Sequence, residues 1–237
     1  MLDGIERILV VMAHPDDVDF SIAGSVAMWT DRGIEVTYCI VTDGDAGGAE
    51  LGIPRPEMGP LRRDEQVTAA KIVGVEDVRF LAYPDGAVEA TLALRRDLAR
   101  VIRQVRPQRV VGQSPERTLD RIYASHPDHL ATGVATLDAV YPDARNRWAH
   151  PELEAEGLEP HTVGAVWLTG AAPDPMHYSD ITDALERKIE ALLAHQSQHA
   201  DPVARGELLR AWGAANAAAA GLPEGRFAEF VRVVITL

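Results

Sequence analysis

Two short stretches of this 237-residue chain concentrate the residue types that carry out hydrolytic chemistry. The first, Ala13-His14-Pro15-Asp16-Asp17-Val18-Asp19, puts one histidine and three carboxylates almost side by side. Packed together, these groups cost desolvation and mutual repulsion unless a cation or a hydrogen-bond network compensates. The second, Ser125-His126-Pro127-Asp128-His129, brings two histidines and an aspartate to the start of a helical pattern. Imidazole nitrogen and carboxylate oxygen are both good zinc ligands, and a catalytic zinc takes three protein ligands plus water. Either His-Pro-Asp alone is also ordinary turn chemistry, with proline in a first helical turn and aspartate capping backbone N–H groups. Two such motifs at the same expected sheet edge, each with further ionisable neighbours, point to a metal site of the His, Asp, His kind. Spacing alone leaves Asp16 and Asp17 interchangeable as ligand and base.

The elements that must position these motifs alternate along the chain. Strand patterns at Arg7–Ala13, Glu35–Val41, Val78–Leu81, Arg109–Gly112, Thr162–Leu168 and Phe230–Leu237 are separated by helical patterns. The helical patterns cover Ile22–Asp31, Arg63–Val73, Leu92–Val105, His129–Val140, Ile181–His195 and Val203–Ala219. Such alternation predicts an α/β, Rossmann-like fold: a mostly parallel sheet with helices on both faces, in one domain over residues 1–237. The irregular stretches Asp43–Pro60, Gln113–Ala124 and Tyr141–Pro160 read as loops, the first two at the carboxyl edge of the sheet where ligands bind in such folds.

Composition narrows the partners. A formal net charge of −13 repels phosphate backbones and anionic membrane surfaces, and no run approaches the roughly 20 apolar residues of a membrane span. The expectation is a cytoplasmic protein with a small-molecule substrate, no nucleic-acid or membrane partner, and a composition compatible with a homo-oligomer. The one cysteine, Cys39, lies in the apolar run VTYCIV and is expected to be a buried, unreactive side chain.

Together the unbroken AHPDD and HPDH motifs make the sequence resemble the PIG-L, or LmbE-like, zinc N-deacetylases. Thr42-Asp43-Gly44-Asp45-Ala46-Gly47, Arg63-Asp64-Glu65, Tyr83-Pro84-Asp85-Gly86 and Ala194-His195-Gln196-Ser197-Gln198 are similar to further family stretches, so the likeness spans nearly the whole chain. The resemblance implies a Zn2+ ion held by His14, Asp17 and His129, with Asp16 as general base. His126 would face the substrate, with Asp128 orienting it and favouring its charged form. The implied reaction is removal of an N-acetyl or other N-acyl group from an amino sugar by metal-activated water. Arg63 is the expected substrate contact, with Arg62 as the competing inward-facing arginine, and Asp45 would help hold the sugar. Asp19 stands where many members have Glu and is given a supporting role; His195 is given no chemistry.

Two rival readings keep parts of this pattern. An amidase of the same family acting on a thiol conjugate or an antibiotic intermediate would use the same metal site. A nucleotide-binding module would use the glycines of residues 42–48 to cradle phosphates, but those glycines follow the second strand rather than the first.

Overall fold

The structure, a computed structural model, describes residues 4–48, 52–119, 122, 125–170, 176–199 and 201–237. Its centre is β1 (Arg7–Met12), whose residues from Ile8 to Met12 are fully buried. Strand alternation sends these residues to two different layers. Ile8, Val10 and Met12 pack with α1 (Asp17–Ser21), α2 (Ala23–Thr30) and α3 (Arg55–Ile72) through Val18, Ile22, Val26 and Ala69. Leu9 and Val11 pack on the other face with Leu94, Leu98 and Ile102 of α4 (Leu92–Val105) and Ala135 of α5 (Pro127–Asp138). Helices on both faces explain why β1 reads as a continuous apolar run.

Besides β1 the sheet contains β2 (Glu35–Thr42), β3 (Asp77–Tyr83), β4 (Arg109–Gln113), β5 (Ala165–Thr169), β6 (Met176–Asp180) and β7 (Ala228–Ile235), in the order β3-β2-β1-β4-β5-β7-β6. The first five strands pair in parallel, whereas β7 runs antiparallel between β5 and β6. The chain moves outward from β1 through β2 to β3 and then returns to lay β4 on the other side of β1. That reversal is the topological switch at which open α/β sheets form their ligand crevice, beyond the carboxyl ends of β1 and β4.

The α/β architecture expected from the sequence is therefore present, with local corrections. Strand β6, Met-His-Tyr-Ser-Asp, is short and mixed in polarity and escapes pattern reading. Helix α3 begins at Arg55, inside the stretch read as a loop, because Pro54 and Pro56 suit a helix start and the helix continues through Gly59 and Pro60. Gly59 has a packing reason, since a Cβ there would stand 3.3 Å from the Asp43 Cβ. The remaining α-helices among the described residues are α6 (Pro151–Ala155), which lies inside the stretch Tyr141–Pro160 read as a loop, α7 (Leu185–Leu193) and α8 (Pro202–Ala219). No helix among the described residues is long and apolar enough to cross a membrane. Cys39 is buried in β2, and burial pushes its thiol up to about 12, which leaves it unreactive.

Candidate metal centre and active site

The first motif leaves β1 under tight control. Ala13 donates its N–H to Gln113 Oε1 at 3.0 Å, and its carbonyl accepts from the Thr42 N–H and hydroxyl, both at 2.9 Å, so β4 and β2 clamp the exit from both sides. Asp16 then adopts a left-handed conformation with φ 89°, which turns the chain into α1. One oxygen of Asp17, Oδ2, accepts from the His14 N–H at 2.8 Å and from Gln113 Nε2 at 3.0 Å. The other, Oδ1, lies 3.1 Å from His129 Nε2.

The second motif opens α5. His126 is the N-cap, accepting the Asp128 N–H on Nδ1 at 3.2 Å, and Pro127 fills the first helical position. The cap of this turn is thus the histidine, while the Asp128 side chain turns away from it. Asp128 is fully buried and accepts from the Gly86 N–H at 2.7 Å, the Val88 N–H at 3.2 Å and His14 Nε2 at 3.2 Å. Asp128 thus meets His126 through its backbone N–H, while its carboxylate serves His14. A second carboxylate, Asp85 Oδ1, meets the same His14 nitrogen at 3.1 Å.

With Nε2 engaged by two carboxylates, His14 turns Nδ1 toward His129 Nε2 at 3.1 Å and toward Asp17 Oδ2 at 3.4 Å. A tetrahedral zinc with bonds of about 2.1 Å separates neighbouring donors by roughly 3.4 Å. His129 Nε2 thus stands 3.1 Å from His14 Nδ1 and 3.1 Å from Asp17 Oδ1, close to the separation one ion would impose, while the second Asp17 oxygen lies 3.4 Å from His14 Nδ1; carboxylates behind a ligating imidazole are the usual support of such a site. Among the described residues, His14, His126 and His129 also bring donor atoms within 4.8 Å of one another, as do His14, Asp85 and Asp128. The chain thus holds a His/Asp cluster suited to a divalent metal.

The charges in this cluster are uneven. Burial would lower the His14 pKa, but bonds to Asp128, Asp17 and Asp85 overcome it and push the imidazole up to about 12. The negative potential that holds this proton equally favours a metal cation. Asp16, buried and beside Asp17, rises to about 6 despite the nearby Arg62 cation. Burial opposes ionisation of Asp17 as well, yet the charge and hydrogen bond of His129 hold it well below the usual carboxylate range. The two adjacent aspartates, equivalent by spacing, are thus separated by environment. His126 is pulled down by burial and by the His14 and His129 charges, which outweigh the Asp128 charge that favours its charged form.

Arg62, not Arg63, is the inward arginine. Arg62 is buried and donates to Asp16 Oδ2 at 3.1 Å, to the Pro15 carbonyl at 2.7 Å and to the Gly44 carbonyl at 2.8 Å. Arg63, the expected substrate contact, forms a two-point pair with Asp43, at 2.8 and 2.5 Å, and places its guanidinium over Phe80. Asp45 is likewise engaged, by Arg55 at 2.8 and 3.1 Å. The glycines of the loop after β2 also find their reason here. A Cβ on Gly44 would stand 2.6 Å from Arg62 Nη1, and one on Gly47 2.7 Å from it, so these glycines make room for a guanidinium, and the phosphate-cradle reading loses its basis. Sequence reading missed Asp85 and Gln113 as contributors; for Asp85 the Tyr-Pro-Asp-Gly stretch was the available signal.

Comparison with known proteins accords with this arrangement. The family model described as PIG-L, GlcNAc-PI de-N-acetylase, matches residues 9–140, from β1 through the end of α5, and so includes both motifs. Diacetylchitobiose deacetylase from Thermococcus kodakarensis is 31% identical over 84% of this chain and 72% of its own length. A probable N-acetyl-alpha-D-glucosaminyl L-malate deacetylase 2 from Bacillus anthracis is 30% identical over 83% of both chains. The solved structure of N,N'-diacetylchitobiose deacetylase from Pyrococcus horikoshii, complexed with an inhibitor, superposes with a TM-score of 0.89 at 26% identity, covering 99% of this chain and 85% of that one. With the histidine and aspartate motifs folded into one cluster and the family match running through both of them, this chain belongs to the PIG-L family of N-deacetylases.

Proposed function

We propose that the protein removes the N-acetyl group from a 2-acetamido sugar, with zinc held by His14, Asp17 and His129. The observation that carries this reading is the convergence of His14 Nδ1, His129 Nε2 and the Asp17 carboxylate, with His129 Nε2 3.1 Å from both His14 Nδ1 and Asp17 Oδ1, one residue from a carboxylate raised to about 6. A bound zinc supplies Lewis acidity at the acyl oxygen and brings a water molecule within reach of deprotonation near neutral pH. Asp16 is the proton carrier. A carboxyl group near pKa 6 is largely ionised at pH 7 yet basic enough to accept the water proton and pass it to the departing amine. Arg62 occupies Asp16 Oδ2, which leaves Oδ1 for the proton.

His126 has its Nδ1 committed as an acceptor, so its neutral ring carries the proton on Nε2. We assign that N–H to the acyl oxygen as it gains negative charge, a contribution whose removal typically costs about two to three powers of ten in rate. The Asp45–Arg55 pair is joined to the site through the Ala46 N–H, which donates to Asp85 at 3.0 Å, and is assigned to the sugar hydroxyls. The names of both curated relatives describe an N-acetylated glucosamine joined to different partners, which supports a 2-acetamido sugar as the common part of the substrate. The setting assigned to this reaction is the cytoplasm, with a small molecule as the partner.

The test is to purify the protein without added metal, measure bound metals by mass spectrometry, and assay amine release from a panel of N-acetylated amino sugars beside Asp16→Ala. Near one zinc per chain, and amine release lost in Asp16→Ala while the metal stays, supports the reading. Absence of any divalent metal together with unchanged behaviour of His14→Ala overturns it.

A further inference from the structure

Asp16 is one of four non-glycine residues with positive φ among the described residues. L-residues adopt that conformation where neighbours hold it, and such positions cluster at functional sites. What holds Asp16 is a chain of side chains running away from the crevice. The Asp16 N–H donates to Gln66 Oε1 at 2.9 Å, Gln66 Nε2 donates to Asp19 Oδ2 at 3.2 Å, and the same Asp19 oxygen lies 2.8 Å from His195 Nε2. Gln66, Asp19 and His195 are all fully buried. The three come from α3, α1 and the turn after α7, so the chain ties three separate elements to one peptide unit.

The polarity of this chain is determined. The Asp16 N–H can only donate, so the carbonyl end of Gln66 must face it, and the amide end then faces the Asp19 carboxyl group. A glutamate at 66 would set carboxylate against carboxylate, and an apolar residue would leave the Asp16 N–H without its acceptor. His195 fixes Asp19 from behind, and the turn that carries His195 is latched to α3, since Glu65 accepts both the Ser197 N–H and the Ser197 hydroxyl at 2.7 Å. The AHQSQ stretch, which the catalytic scheme leaves unused, thereby acquires a purpose.

We infer that Gln66, Asp19 and His195 are positioning residues that hold Asp16 in its left-handed conformation and so aim its carboxylate at the reacting atoms. The inference rests on the reading of Asp16 as the general base. A base misplaced by about 1 Å loses on the order of a hundredfold in rate, whereas substrate contacts made elsewhere are unaffected. The expected signature is therefore a loss in kcat at nearly constant KM and constant metal content.

The experiment compares wild type, Asp16→Ala, Gln66→Met, His195→Leu and His195→Gln, following amine release from N,N'-diacetylchitobiose, bound metal, and thermal unfolding. Gln66→Met and His195→Leu should lose about ten- to a hundredfold in kcat with KM within about threefold and metal retained. His195→Gln keeps a donor for Asp19 and should recover most of the loss, which a residue needed only for packing would not predict. Wild-type kcat in folded Gln66→Met overturns the inference, as does a His195→Gln as slow as His195→Leu, or a loss confined to unfolding temperature or metal content. If His195→Leu does not fold, Gln66→Met and His195→Gln still decide the matter. An Asp16→Ala as active as wild type brings down the base assignment itself, and this inference with it; a dead Asp16→Ala beside a fully active Gln66→Met brings down this inference alone.

Discussion

Arg62 Nη2 donates to Asp16 Oδ2 across 3.1 Å, and the same guanidinium is tied to the Pro15 and Gly44 carbonyls. This contact holds the Asp16 pKa near 6 when burial and the neighbouring Asp17 would push it higher. Arg62→Met removes the cation. The neutral form of Asp16 is then favoured further, less of the base is present at neutral pH, and the acid limb of the kcat–pH profile moves upward. Gly47→Ala, whose Cβ would stand 2.7 Å from Arg62 Nη1, should displace the guanidinium and shift the profile in the same direction. Arg63→Met, which removes a partner of Asp43 instead, should leave the acid limb in place. Profiles of kcat against pH for the three variants check this.

His14 Nε2 is shared by Asp85 at 3.1 Å and Asp128 at 3.2 Å. Both act on the face of the ring opposite the proposed ion, and such partners fix the ring and raise its basicity as a ligand. Asp85→Asn and Asp128→Asn should therefore weaken zinc binding about 10- to 100-fold without removing a ligand, as measured by competition with a chromogenic chelator. Asp128→Asn should also destabilise the fold, because Asp128 accepts the Gly86 and Val88 N–H groups as well.

Glu229 in β7 receives the Gly24 and Ser25 N–H groups at the start of α2, at 2.9 and 2.7 Å, and Lys188 Nζ at 2.6 Å. Lys188 and Glu229 are both buried, so Lys188→Met leaves a charge inside the protein without its counter-ion. A loss of about 3 kcal/mol in denaturant unfolding is expected, with activity per folded molecule retained. Lys188→Met combined with Glu229→Gln should recover part of that loss, since the second substitution removes the stranded charge.

The alternation of apolar runs made the sheet readable because β1, β2 and β4 are buried along nearly their whole length, and each carries an apolar run: Ile8–Met12, Tyr38–Val41 and Val110–Val111. Strand β6 lacked that signature: among the described residues its five, Met-His-Tyr-Ser-Asp, pair with β7 alone, at the sheet edge. In the site, the histidines and aspartates could be read as a cluster because their types are costly to crowd. Which aspartate does what could not, since Asp16 and Asp17 differ by a left-handed turn and by the partners of their oxygens, not by spacing. The choice between Arg62 and Arg63 had the same character. One helix position separates them, and only the packing of α3 against the loop after β2 buries one and leaves the other with Asp43. Gln66 and Gln113 gave no signal at all, because an amide that bridges a backbone N–H and a carboxylate looks like any polar residue until both partners are in place.

His199 is buried against Phe20, with ring centroids 5.6 Å apart, and burial, assisted by the charges of Arg205 and His195, pulls its imidazole down to about 4. In the unfolded chain the same ring titrates near 6.5. Between those two values the unfolded state binds a proton that the folded state refuses, so stability contributed by the neutral ring is complete above about pH 6.5 and declines as the pH falls toward 4. His199→Leu has no proton to bind in either state. Its unfolding free energy should therefore drop less than that of wild type between pH 7 and pH 5, by about 1 kcal/mol after allowance for solvent screening. Urea titrations of both proteins at the two pH values measure the difference directly, and an equal drop in both would assign the acid sensitivity to other groups.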